Sequence, residues 1–131
     1  LSPWRMQLGR SAAGTVILND AYNANPTSTV AALRALAALP ARRRLAFLGV
    51  MAELGPGSDD EHRSVAAVAG ELGIRVVAVG QPAYGTEGVS GIDEAVALAA
   101  SFGLAGDDAV LVKGSRVAGL ERLAERLLSR S

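Results

Sequence analysis

The stretch Asn19-Asp20-Ala21-Tyr22-Asn23-Ala24-Asn25-Pro26 places an acid, an aromatic ring and several amides between an apolar run, Thr15–Leu18, and a helical pattern. A plain connection from strand to helix needs few residues and no ring. Local turn chemistry explains any one of these residues. Asp and Asn hydrogen-bond to nearby backbone, and Pro pre-sets a helix start. Ligand chemistry explains them together. A carboxylate at a strand end can hold ribose hydroxyls, Tyr22 can lie against a base, and Asn23 and Asn25 can read polar edges. On residue chemistry alone both readings stay open.

A second stretch, Leu111-Val112-Lys113-Gly114-Ser115-Arg116, joins an apolar run to the last helical pattern. Free backbone N–H groups, a positive helix end and a cation together suit a carboxylate or phosphate. The plainer alternative is a helix capped by Ser115 with a solvated Lys113. Lys113 is the only lysine among thirteen basic residues, which favours a specific use for it. A third stretch, 48–57, is punctuated by glycine and carries one acid, Glu53; it reads as a flexible surface loop or as a lid or substrate contact. His62, the chain's one histidine, falls in the first turn of the next helical pattern and reads as a packing or hydrogen-bonding residue. Arg5 reads as a surface charge, and 41–44 as a solvated strand entry. Neither GxxxxGK[ST] nor GxGxxG occurs, so the chain has no phosphate cradle of either kind.

The elements that must position these residues alternate short apolar runs with helical patterns, as in an α/β sheet. The pattern predicts a hairpin-like strand pair over 6–19 and strands over 43–49, 75–80 and 107–114. It predicts helices over 27–39, 59–73, 93–102 and 115–130. Thr27 or Ser28 caps the first helix and Pro40 stops it; Ser58 or Asp59 caps the second and Gly73 ends it. Residues 81–91 read as irregular. Candidate residues fall after three of the apolar runs, and in an open α/β sheet those strand ends share one ligand-facing edge.

Composition narrows the rest. The 131 residues fit one domain, 1–131, with half of them hydrophobic and only 4% aromatic, so Ala, Val and Leu must build the core. Thirteen basic and thirteen acidic residues cancel, leaving no field to collect nucleic acid. Without cysteine there is neither a disulfide framework nor a thiolate metal site. No apolar run approaches the ~20 residues that span a bilayer. The expectation is a soluble, cytoplasmic domain. The opening, Leu1 to Arg10, reads as the end of a linker entering a strand, so a processed piece or excised domain is expected.

Taken in order and at their spacings, NDAYNANPTSTVAAL, LGVMAELGPGSDDEH and LVKGSR resemble the C-terminal domain of the Mur ligases, in their MurF type. The resemblance covers nearly the whole chain. It implies a Rossmann-like α/β three-layer sandwich, mostly parallel with one antiparallel edge strand. It further implies one domain of a three-domain, ATP-dependent ligase that adds D-alanyl-D-alanine to UDP-N-acetylmuramoyl-tripeptide through an acyl phosphate. ATP and Mg²⁺ would be bound mainly by a central ATPase domain of the same protein. By resemblance, Arg5 reaches toward the nucleotide phosphates and Asp20 takes the ribose hydroxyls. Tyr22, Asn23, Asn25 and Pro26 line the nucleotide side, while Gly49, Met51, Glu53, Lys113, Gly114, Ser115 and Arg116 face the amino-acid or dipeptide side. His62 stands at the family's usual histidine position with its role open. Two departures are visible: the family often has Asp where this chain has Asn19, and often Asp at Val50. A sister ligase adding a different amino acid, a stand-alone nucleotide-binding module and a structural interaction domain are the rival readings. The chain by itself is expected to lack ligase activity and to bind ATP weakly or undetectably.

Overall fold

In the computed structural model, which describes residues 6–130, six strands form one sheet in the order β1-β2-β6-β3-β4-β5. Strands β1 (Gln7–Arg10) and β2 (Val16–Asp20) are antiparallel. All other pairings, among β2, β3 (Arg43–Leu48), β4 (Arg75–Val79), β5 (Gly88–Val89) and β6 (Asp108–Lys113), are parallel. The mixed α/β sheet with one antiparallel edge strand matches the expectation. Its last-made strand, β6, lies in the middle with β2 on one side and β3 on the other.

The apolar runs of these strands are continuous because both faces are covered. Val16, Leu18, Ala46, Leu48, Ala109 and Leu111 point into one core, with Leu33 and Leu36 of α1 (Pro26–Ala38) and Val65 and Ala69 of α2 (Ser58–Glu71). Their alternates Ile17, Leu45, Phe47, Val110 and Val112 point into the other. There they meet Ala95 and Val96 of α3 (Ile92–Phe102) and Leu123 and Leu127 of α4 (Glu121–Arg130). This is the side-chain period of two, read on both faces of a three-layer sandwich.

Helix boundaries correct the sequence reading in three places. The N-cap of α1 is Asn25, and Pro26 takes the first helical position, where its missing N–H costs nothing. Ser28 sits at N3 and completes a capping box: Asn25 Oδ1 accepts from Ser28 N at 2.8 Å, and Ser28 Oγ accepts from Asn25 N at 3.1 Å. Helix α2 starts at Ser58 with no side-chain cap, its acids Asp59, Asp60 and Glu61 lying over the positive end of the helix dipole. The last helix begins at Glu121; a turn at Arg116–Ala118 and Gly119, at φ 65°, interrupt the pattern expected from 115. Gly73 ends α2 as expected, and the stretch read as irregular contains a turn at Pro82–Tyr84 and the short β5.

Candidate functional site

Three loops leave the sheet at one edge: 20–25 after β2, 49–57 after β3 and 113–116 after β6. Parallel register aligns their roots, with Asp20 opposite Lys113 and Lys113 opposite Leu48. The loops that carry most of the expected site residues therefore share this edge; Pro26 and His62 lie in α1 and α2, and Arg5 lies outside the described residues.

Lys113 is the centre of the edge. Its side chain is 2% exposed, and Nζ donates to Asp20 Oδ2 and to the Asn23 carbonyl, each at 2.8 Å. Two of the three N–H donors of the ammonium are thus committed within the domain. The lysine fixes the Asp20 carboxylate and closes the 20–23 loop in one step. Asn23 Oδ1 accepts from Ala24 N at 2.9 Å, a local turn, and Asn25 is spent on capping α1. For these two amides the turn-chemistry reading accounts for what the structure shows.

Tyr22 and Arg116 stand together. The guanidinium carbon lies 5.5 Å from the Tyr22 ring centroid, and Nη1 is 3.5 Å from the phenol oxygen. They line a cleft of about 350 Å³ with Asn19, Asp20, Gln7, Glu121 and Glu125. A second hollow, about 360 Å³, lies on the other side of Asp20 against Asn23, Ser28 and Lys113. Asp20 borders both. With Oδ2 held by Lys113, Oδ1 is the oxygen left for a ligand among the described residues. An aromatic face, an exposed guanidinium and a fixed carboxylate oxygen suit a base or sugar, a phosphate and a vicinal diol respectively.

The 49–53 loop is tied to the 113–115 segment by main chain. Gly49 N donates to Lys113 O and Ser115 N donates to Val50 O, both at 2.8 Å. The Ser115 N–H is thus not free for an anion, while the Ser115 hydroxyl is buried without a partner. Gly49 and Gly114 pass each other at the closest point: a Cβ on Gly114 would stand 3.2 Å from Gly49 Cα, and a Cβ on Gly49 would stand 2.9 Å from Leu120 Cδ1 and 3.1 Å from Ala118 Cβ. Any side chain there would force its neighbours to shift. Met51 is buried, and Glu53 is exposed at φ 62°, the one described non-glycine residue in the left-handed region. Such a conformation costs about 1 kcal/mol or more and favours glycine. The structure shows no contact of Glu53 with Asp20 or Lys113.

His62 is fully buried, as its bland reading expected. Nε2 accepts from Met51 N at 2.9 Å, which requires the tautomer with hydrogen on Nδ1; Nδ1 then donates to Ser58 O at 2.7 Å. The sequence reading missed Tyr84. It is buried in the turn after β4, and its hydroxyl donates to Gly49 O at 2.6 Å. An aromatic in a glycine-rich run was the available signal. Among the described residues no group of three or more His, Cys, Asp or Glu is placed to hold a metal ion.

A two-layered helical cover over a mostly parallel sheet, with ligand-facing loops gathered at the carboxyl strand ends, defines a Rossmann-like α/β domain. A family model described as "Mur ligase, glutamate ligase domain" matches residues 4–116, and the chain belongs to that family. The UDP-N-acetylmuramoyl-tripeptide–D-alanyl-D-alanine ligase of Mycobacterium leprae is 35% identical over 98% of this chain and 30% of its own length. The ligase of the same name from Escherichia coli K12 is 36% identical over 95% of this chain and 29% of its own. Among solved structures, the MurF ligase from Thermotoga maritima in complex with ADP superposes with a TM-score of 0.83 at 25% identity, over 96% of this chain and 30% of that one. The chain therefore spans less than a third of the length of these relatives.

Proposed function

We propose that this chain serves as the C-terminal domain of a three-domain, ATP-dependent ligase that joins D-alanyl-D-alanine to UDP-N-acetylmuramoyl-tripeptide in bacterial peptidoglycan synthesis. The observation that carries the reading is the gathering of the Asp20–Asn23, Gly49–Glu53 and Lys113–Arg116 loops at one sheet edge. It stands in a chain similar along nearly its whole length to ligases of that name.

In this reading Asp20 Oδ1 takes the ribose hydroxyls and the 49–53 loop faces the incoming amine; Arg116, expected on the dipeptide side, lies against Tyr22 and joins it in the wall beside base and phosphates. The ADP-bound relative supports the nucleotide side. Lys113 acts through Asp20, not on a ligand. Arg5 would reach the nucleotide phosphates from the domain junction. Mg²⁺ would lie on the central ATPase domain, since the described residues here offer it no ligand set, and it would neutralise phosphate charge there. In the reaction the γ-phosphoryl group passes to the peptide carboxylate, giving an acyl phosphate and ADP. The dipeptide amine then attacks the acyl carbon, and phosphate leaves from the tetrahedral intermediate as the amide forms. This chain's share is positioning and charge stabilisation on one wall of the cleft. None of the described helices is long and apolar enough to cross a membrane, consistent with work on nucleotide-linked precursors in the cytoplasm.

The test is twofold. The full ligase should use D-alanyl-D-alanine in preference to single amino acids; preference for a single amino acid would move the assignment to a sister ligase. Calorimetric titration of ATP-Mg²⁺ into the present chain should show weak or undetectable binding. Tight binding would overturn the divided site and favour a stand-alone nucleotide module.

A further inference from the structure

The backbone from Gly49 to Met51 runs beyond the last paired residue of β3, Leu48. Where the ladder stops, two side chains from elsewhere take over its role. Tyr84 Oη donates to Gly49 O at 2.6 Å, and His62 Nε2 accepts from Met51 N at 2.9 Å. The two rings pack edge to face, with centroids 4.9 Å apart at 84°. His62 is anchored in turn on the carbonyl of Ser58, one helical turn earlier in α2. Burial raises the Tyr84 phenol above its ordinary value, which keeps the hydroxyl in its donating form.

On the opposite side two of these three residues, Gly49 and Val50, are held by the main chain of Lys113 and Ser115. The segment is therefore gripped from two directions. One grip comes from the strand that carries Lys113 and its partner Asp20. The other comes from His62 of α2, which closes the LGVMAELGPGSDDEH motif, and from the Pro82–Tyr84 turn, which none of the motifs described above includes.

We infer that Tyr84 and His62 are positioning residues that hold the Gly49–Met51 backbone as a preformed wall on the amine side of the cleft, acting through main-chain groups without touching substrate. This rests on the proposed ligase reading for the identity of that side; the clamp itself does not. It also gives His62 a role distinct from acid or base catalysis. Its Nε2 is occupied by a backbone N–H and its Nδ1 by a carbonyl, so neither nitrogen is available to a reacting group.

The experiment has two arms. In the present chain, hydrogen exchange at the Met51 amide should be slow in the wild type and selectively accelerated in His62→Leu, with Val110 and Leu111 unchanged. His62→Gln, whose amide oxygen can accept from the same N–H, should restore protection. A scalar coupling between Met51 N and His62 Nε2 in the wild type reads the same bond without a variant, and its absence would overturn the clamp even if His62→Leu failed to fold. In the full ligase, Tyr84→Phe and His62→Leu should lower kcat/KM for the amine substrate by about 10- to 100-fold while KM for ATP holds. Unchanged amine kinetics, or equal losses for amine and ATP, would overturn the positioning role. A wild-type ligase that rejects D-alanyl-D-alanine instead overturns the assigned substrate and leaves the exchange arm standing.

Discussion

Lys113 and Asp20, ladder partners on adjacent parallel strands, turn their side chains to each other at the sheet edge and form an ion pair of 2.8 Å that is 2% and 15% exposed. The ammonium also accounts for the Asn23 carbonyl, so one buried cation organises the first loop of the site. Removing one member of such a pair strands the other. Lys113→Met should destabilise the chain by about 3 kcal/mol, and Lys113→Met with Asp20→Asn should lose less than the single variant. Urea denaturation of the three proteins decides it; a double variant no more stable than Lys113→Met would mean the pair is not what holds the loop.

Tyr22 and Arg116 bear on the nucleotide side of the proposed site. Replacing either by Ala removes a stacked cation and ring. In the full ligase each should raise KM for ATP by about fivefold, the scale of one such contact at an exposed site. KM for the amine substrate should stay put. Initial-rate kinetics with each substrate varied in turn would show whether the effect is confined to ATP.

Gly49→Ala tests the crossing of the two loops. The new methyl would meet Leu120 Cδ1 at 2.9 Å and Ala118 Cβ at 3.1 Å. Overpacking of this kind costs about 1–3 kcal/mol. Leu120 can swing its terminal methyl whereas Ala118 cannot, so adding Leu120→Ala should relieve only part of the clash. A thermodynamic cycle on Gly49→Ala and Leu120→Ala checks this, and strictly additive losses would refute contact between them.

Acid sensitivity should come from the opposite end of the sheet. Asp108, 1% exposed, accepts from Arg43 Nε at 2.9 Å and from Ala105 N at 2.8 Å. The hydrogen bond from Arg43, stronger than the opposing effect of burial, lowers its pKa below the ordinary 3.8. A carboxyl depressed in the folded state binds protons more readily when unfolded. Its stabilising contribution is therefore complete above 3.8 and is lost as pH falls through the depressed folded value. Asp108→Asn should be less stable than wild type at neutral pH, and the gap should narrow under acid. A gap that stayed constant from pH 7 to about 2 would remove Asp108 from the account.

The sheet was legible because parallel strands covered on both faces write themselves as unbroken apolar runs, as in Leu45–Leu48 and Ala109–Val112. The edge at which the three loops gather followed from where those runs stop. What stayed hidden depended on partners distant in sequence. The pairing of Lys113 with Asp20 was one such feature, because nothing local reveals a partner 93 residues away. Asn25 read as part of a polar wall because its capping role needs the helix to begin at Pro26, and Thr27 and Ser28 are equally good caps by type. Tyr84 was lost in a glycine-rich run because its acceptor, the Gly49 carbonyl, lies 35 residues away.

The placement of β6 has a consequence for synthesis of the protein. Of the six described strands it comes last along the chain, yet β2 and β3 have no common neighbour until it forms. A nascent chain halted before Asp108 would hold one antiparallel pair and one separate parallel group, without the strand that joins them. Residues 20, 49 and 113 meet only at that final insertion, so the cleft edge cannot precede completion of the sheet during translation.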